Sequence, residues 1–238
     1  MDTGPAARHT SQAMSTVALL PCVELEPAKP AQWSVIWMHG LGADGHDFAP
    51  VPPHLGIEHR HAVRFVFPHA PRMPVSINNG FVMPAWYDIR DGDLRARHDE
   101  QGIAASALRI RALIAREIER GVPSQRIFLA GFSQGGAMAV HVGLRHEQPL
   151  AGILALSTYL VCADSLEAQL QSANRGIRCF VAHGLMDPMV PISRGQNLRE
   201  RLTQLGCEVE WHTYPMEHSV CEEELADIGS WFNRTMGY

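Results

Sequence analysis

Ser133 stands between glycines in the stretch IFLAGFSQGGAMAV, behind an apolar run and ahead of a run of small residues. A serine hydroxyl is a weak nucleophile until a base takes its proton. A catalytic serine therefore demands a histidine, and an acid to orient that histidine. Asp187, in RCFVAHGLMDPMV, and His218, in EVEWHTYPMEHSV, follow downstream in that order. G-x-S-x-G alone is a weak pattern, and its context carries it. A serine displayed on a tight strand-to-helix turn needs small neighbours, because strand and helix cross beside it. Gly131, Gly135 and Gly136 supply them. The turn also puts the serine at a helix start, where backbone N–H groups stabilise an oxyanion. The chemistry these residues point to is acyl transfer to water through an acyl-enzyme.

That reaction needs two oxyanion donors. One is the N–H of the residue after the nucleophile, Gln134, and the other comes from a loop after an early strand. HGLGADGHDF, residues 39–48, fits the second demand. Leu41 is its natural donor, and glycines 40, 42 and 45 let the backbone approach the reacting carbonyl. Other residues compete for these roles. His39 and His183 each precede a glycine at a strand end and read as loop-shaping residues, and His212 sits within a strand pattern. Asp164 follows an earlier strand, where a triad acid is less usual. A metal site from His183, Asp187, His212 and His218 matches no compact ligand spacing and leaves the serine unexplained. No metal and no organic cofactor is expected. HGLGADG lacks both the Lys-Ser/Thr of a phosphate loop and the GxGxxG order of a dinucleotide site.

The elements that must position these residues are strands alternating with helices. Apolar runs at 33–38, 63–67, 126–130, 151–156 and 178–182 read as buried strands. The more polar, alternating run at 208–214 reads as an edge strand. Between them lie helical patterns at 99–120, 137–144, 193–205 and 219–232, the first stopped by Gly121 and Pro123. This alternation predicts a mostly parallel sheet with helices on both faces. Ser133, Asp187 and His218 then fall at the ends of three different strands. Residues 68–92 fit neither period and carry four prolines and the Asn78-Asn79-Gly80 turn signal. A connection this long without regular structure tends to be functional. Ile77, Phe81, Met83 and Trp86 are its candidates for lining a substrate groove.

Composition narrows the function. The 238 residues are 46% hydrophobic with a formal charge of -5 and no dense block of Lys and Arg, so nucleic acid is not an expected partner. Five cysteines without CxxC spacing fit scattered thiols in a reducing compartment. No apolar run reaches the roughly 20 residues of a membrane span, and the amino terminus makes a poor signal peptide. A cytoplasmic protein is expected, without stable membrane insertion. It is expected to comprise a disordered tail at 1–15 and a single domain at 16–238.

As an ordered set, HGLGADGHDF, PVSINNGFVMPAWYDI, DEQGI, GFSQGGAMA, HGLMDPMVP and YPMEHSV resemble the carboxylesterase/phospholipase family of α/β-hydrolases. That group includes acyl-protein thioesterases and small bacterial carboxylesterases. The resemblance implies an α/β-hydrolase fold without a separate lid domain and a Ser133–Asp187–His218 triad. It also implies an oxyanion hole from the Leu41 and Gln134 N–H groups, and an acyl-binding groove beside residues 77–86. The substrate would be a small-molecule or lipid-like ester, and homodimers that partly cover the active site are frequent in the family. LSTYL, residues 156–160, resembles the bacterial carboxylesterases more than the eukaryotic thioesterases, which usually carry a Ser-Gly and a proline there. The expectation is a carboxylesterase for short- to medium-chain acyl esters, with acyl-protein thioesterase or lysophospholipase as the alternative.

Overall fold

The computed structural model describes residues 17–90 and 98–237. The segment 1–15, expected to be a tail, lies outside the described residues. The chain runs β1 (Cys22–Leu25), β2 (Trp33–Met38), β3 (Val63–Pro68), β4 (Arg72–Val75), β5 (Phe81–Pro84), α1 (Glu100–Glu119) and β6 (Ile127–Phe132). It continues through α2 (Gln134–Leu144), β7 (Gly152–Leu156), α3 (Ala163–Gln169), β8 (Arg178–Gly184), α4 (Ile192–Gln204), β9 (Glu208–Tyr214) and α5 (Glu222–Met236).

Seven strands form one sheet in the order β1-β3-β2-β6-β7-β8-β9. Within this sheet, among the described residues, only the β1–β3 pair is antiparallel. Strands β2 and β7 are buried along their whole length, which is why they read as continuous apolar runs: helices cover both faces. Strand β9 lies at the sheet edge and is half-buried, and its polar alternation follows from that place. One core cluster joins the sheet to α1, α2 and α4 through Ile110, Met138 and Leu198. The other joins it to α5 through Ile228, Trp231 and Phe232, with Phe48 and Leu55 from the segment after β2. Helix α1 starts where the Asp99 side chain accepts from the Gly102 N–H at 3.1 Å, an N-cap that satisfies an otherwise orphaned donor. The mostly parallel sheet with helices on both faces that the strand–helix alternation predicts is the one observed, as is the α/β-hydrolase architecture that the resemblance implies.

Three elements differ from the sequence reading. Residues 68–92 are not all irregular, because β4 and β5 pair as an antiparallel hairpin. Its turn does follow the Asn78-Asn79-Gly80 signal, with Asn79 at φ 54° and Gly80 at φ 75°. Four-residue strands containing Pro74 and Pro84 carry too little alternation to be recognised, and a two-stranded sheet tolerates them because each strand keeps a free edge. Strand β1 and helix α3 also escape sequence reading. Each is short, and β1 is held by its pairing with β3 rather than by local preference.

Candidate active site

Ser133 is the single residue between β6 and α2, with φ 53° and ψ −121°. A non-glycine residue in such a conformation costs on the order of 1–3 kcal/mol and persists only where its surroundings over-determine it. Here they do. The Ser133 N–H donates to the Leu156 carbonyl at 2.9 Å, and Thr158 Oγ1 donates to the Ser133 carbonyl at 2.6 Å. A Cβ on Gly131 would lie 2.3 Å from the Gly135 carbonyl, and one on Gly135 would lie 2.3 Å from the Met38 carbonyl. Strand, helix and the loop after β2 therefore meet at van der Waals distance around the serine. The Ser133 side chain makes no capping bond to α2, which leaves its hydroxyl unengaged by the helix it starts.

Asp187 and His218 are brought together by the loops after β8 and β9. The Leu185 N–H donates to the Tyr214 carbonyl at 2.8 Å, and the Met186 N–H to the Met216 carbonyl at 3.1 Å. Gly184 fits between them only because it lacks a Cβ, which would sit 2.3 Å from the Glu217 carbonyl. The Asp187 carboxylate is buried, and its Oδ1 accepts from the N–H groups of Met189 at 2.9 Å and Val190 at 2.8 Å. Its other oxygen, Oδ2, lies 2.6 Å from His218 Nδ1. The His218 ring packs against Phe132, the residue before Ser133, at 4.6 Å between centroids. A fixed carboxylate holding one imidazole nitrogen turns the other towards its reaction partner and selects the tautomer.

The loop after β2 reaches the elbow as well. A Cβ on Gly40 would lie 3.5 Å from Ser133 Cβ, so the backbone leading into Leu41 runs beside the serine. Gln134 is the first residue of α2, and its N–H is among the amides that have no acceptor within the helix. Its side chain does something that sequence reasoning missed. Oε1 accepts from the Trp86 N–H at 2.8 Å and Nε2 donates to the Tyr87 carbonyl at 2.7 Å, which ties the end of the β4–β5 segment to the elbow. No local pattern announces that pairing.

The four groove candidates separate. Ile77 and Phe81 are exposed on the hairpin, Phe81 by 68%. Met83 is half-buried, with its sulfur 3.7 Å from where a Cβ of Gly42 would stand, next to the loop after β2. Trp86 is a correction. It is fully buried and its Nε1 donates to the His39 carbonyl at 2.9 Å, so it props the loop from beneath and lines no open groove. Exposed apolar side chains not foreseen from sequence flank Asp187: Leu185, Met186 and Met189. A cavity of about 810 Å3 lies elsewhere, between α1, α3 and α4, and none of Ser133, Asp187 or His218 lines it. Its wall is mixed, with Glu100, Asp164, Arg194 and Arg201 beside Ile103, Tyr159 and Leu160.

The competing histidines have structural partners. His39 Nε2 accepts from the Ala70 N–H at 3.1 Å, while Nδ1 contacts the Gly40 carbonyl at 2.7 Å. His183 Nε2 contacts the Val190 carbonyl at 2.8 Å, and burial lowers the pKa of both rings, keeping them neutral. His183 Nε2 is also 3.6 Å from Asp187 Oδ2, beyond hydrogen-bond reach, whereas His218 is at 2.6 Å. His212 is stacked on Phe180 within β9. The LSTYL residues brace the elbow: Thr158 through the Ser133 carbonyl, and Tyr159 through a buried 2.8 Å hydroxyl contact with Tyr87.

Known proteins resemble this chain in sequence and in fold. The sequence model of the Phospholipase/Carboxylesterase family matches residues 22–236. The chain is 42% identical over 204 residues to an acyl-protein thioesterase 1 of Neurospora crassa, covering 82% of this chain and 83% of that one. It is 38% identical over 212 residues to an acyl-protein thioesterase 1 of Gibberella zeae, covering 85% and 90%. Among solved structures, SOBER1 of Arabidopsis thaliana superposes with a TM-score of 0.81 at 28% identity, covering 87% of this chain and 100% of that one. With a strand-to-helix serine elbow, a carboxylate–imidazole pair beside it and a family match across the sheet, the chain belongs to the phospholipase/carboxylesterase family of α/β-hydrolases and is a serine hydrolase.

Proposed function

We propose that this hydrolase cleaves acyl thioesters and esters of the kind an acyl-protein thioesterase handles, with Ser133 as nucleophile, His218 as general base and Asp187 as its orienting acid. The observation that carries this reading is the 2.6 Å contact from Asp187 to a His218 ring packed on Phe132, directly beside the strained Ser133. His218 takes the Ser133 proton as Oγ attacks the carbonyl, and Asp187 stabilises the imidazolium that forms. The Leu41 and Gln134 N–H groups receive the oxyanion, where one donor is typically worth about 3 kcal/mol. The imidazolium then protonates the departing thiol or alcohol. The freed imidazole activates water for deacylation, which returns Ser133.

Relatives named as acyl-protein thioesterases at 35% to 42% identity favour this reading over the short- to medium-chain carboxylesterase that LSTYL suggested. The structural roles of Thr158 and Tyr159 remove the reason for weighting that stretch, since they hold the elbow rather than shape a groove. Exposed Ile77, Phe81 and Val82 on the β4–β5 hairpin, with Leu185, Met186 and Met189 on the loop after β8, offer apolar surface for a longer acyl chain. Homodimerisation, a cytoplasmic location and a single domain across 16–238 belong to the same proposal. Among the described residues no helix is long and apolar enough to cross a membrane.

The test is a matched series of acyl esters and acyl thioesters, acetyl to palmitoyl, with wild type beside Ser133→Ala. The expected result is a kcat/KM that rises with chain length, favours thioesters and vanishes in the variant. A maximum at acetyl or butyryl esters would return the short-chain carboxylesterase, and full activity in Ser133→Ala would refute the nucleophile.

A further inference from the structure

The loop after β2 and the end of β3 together carry a second set of chemical groups, none of them among the residues read as catalytic. Asp44, His46 and His69 each offer one ligand atom, and these atoms lie within 4.8 Å of one another. Asp44 Oδ1 is 3.0 Å from His46 Nδ1, and the His46 and His69 rings lie 5.2 Å apart between centroids, tilted by 51° to each other. Donors around a tetrahedral ion with bonds of roughly 2.0 Å stand about 3.3 Å apart, so small side-chain rotations close this set. Two imidazoles and one carboxylate suit a borderline transition ion such as Zn2+ or Co2+, not the all-oxygen shells of Mg2+ and Ca2+.

Backbone contacts place the frame around the three side chains. His69 follows β3, and its N–H is tied to the Pro21 carbonyl at 2.9 Å. Gly45 lies so close to β3 that a Cβ would sit 2.4 Å from the Phe67 carbonyl. Asp44 Oδ1 also accepts from the His46 N–H at 2.8 Å, which holds the turn that carries both ligands. The Asp44 and His46 side chains remain open to solvent, at 50% and 72% exposure, so an ion can reach them and keep water in its remaining positions.

We propose that Asp44, His46 and His69 form a binding site for a divalent transition-metal ion that cross-links the loop after β2 to the end of β3. Occupancy has a consequence for the loop. The Gly45 N–H now donates to His69 Nδ1 at 3.2 Å. An ion on Nδ1 competes for that lone pair directly, and an ion on Nε2 moves the ring proton to Nδ1, where it opposes the amide. Either way Gly45 loses its partner, four positions from Leu41, and the loop that supplies the second oxyanion donor shifts. Metal binding therefore slows hydrolysis. This last step rests on the role proposed for Leu41, and the site itself does not.

Co2+ titrated into the full chain tests both. Saturable visible absorption bands, displaced by Zn2+, are expected in wild type. The affinity should fall more than about tenfold in His46→Ala and in His69→Ala, and stay unchanged in His54→Ala, an exposed histidine elsewhere. Because His46 is a surface side chain, its loss reports on the ion and not on folding. Absent bands, or equal titrations in all four proteins, would overturn the site. Hydrolysis followed in the same cuvettes should fall as the bands grow, and full bands at an unchanged rate would overturn the coupling. A chain inactive before metal is added would count against the Ser133 reading while its bands still decided the site.

Discussion

Replacing Glu224 by glutamine should stabilise this protein, and increasingly so as pH rises. Glu224 is the third residue of α5, behind Cys221 at the N-cap, where a glutamate can reach back to the N-cap N–H. It is fully buried, and among the described residues neither carboxylate oxygen has a partner of hydrogen-bonding geometry. Burial raises its pKa to about 8, opposed by the Cys221 N–H and assisted by the nearby Asp227 charge. The folded carboxyl thus holds a proton that the unfolded chain releases near 4.5. Its contribution to stability is whole below the unfolded pKa and is lost as pH climbs from there through about 8. At about 1.4 kcal/mol per pKa unit, the loss between the unfolded value and neutral pH comes to about 3 kcal/mol. Glutamine keeps the shape and the capping reach and cannot ionise. Glu224→Gln should match wild type near the unfolded carboxyl pKa and exceed it at neutral pH by about 3 kcal/mol, or roughly 6–12 °C in Tm for a chain of this size. Thermal unfolding of both proteins across this pH range is the assay. Tm curves that run parallel, or a variant less stable at every pH, would refute the argument. Because α5 begins four residues after His218, the same scan followed by activity also reads whether that helix start steadies the His218 ring.

Asp187→Asn should leave the Met189 and Val190 N–H groups satisfied through Oδ1 but present an N–H to His218 Nδ1, so kcat should fall about 10^4-fold with Tm little changed. A loss under tenfold in steady-state kinetics would remove Asp187 from the mechanism. Gln134→Ala strands the buried Trp86 N–H and Tyr87 carbonyl, so chemical denaturation should show a loss of about 3 kcal/mol although no backbone donor was altered. An unchanged denaturation midpoint would mean that those bonds are replaced.

What the sequence determined by itself is what depends on near neighbours along the chain. Small residues around Ser133 announce the elbow, because strand and helix approach within a Cβ of each other there. Buried parallel strands show as apolar runs because both their faces lose water, and β9 reads as more polar because it stands at the sheet edge and is only half-buried. Asp187 and His218 were legible as residues just past strands, since crossing a parallel sheet repeatedly in one direction delivers every such loop to the same end. Only the tertiary structure decided which groups meet. Strand β1 exists because β3 stands beside it, the β4–β5 hairpin because its two short strands satisfy each other, and the buried place of Trp86 because Gln134 and His39 hold it from elsewhere in the chain. The choice of His218 over His183 as partner of Asp187 is a matter of a 2.6 Å against a 3.6 Å separation. Contacts between residues far apart in sequence are set by the packing of the whole sheet, and no local pattern of side chains encodes them.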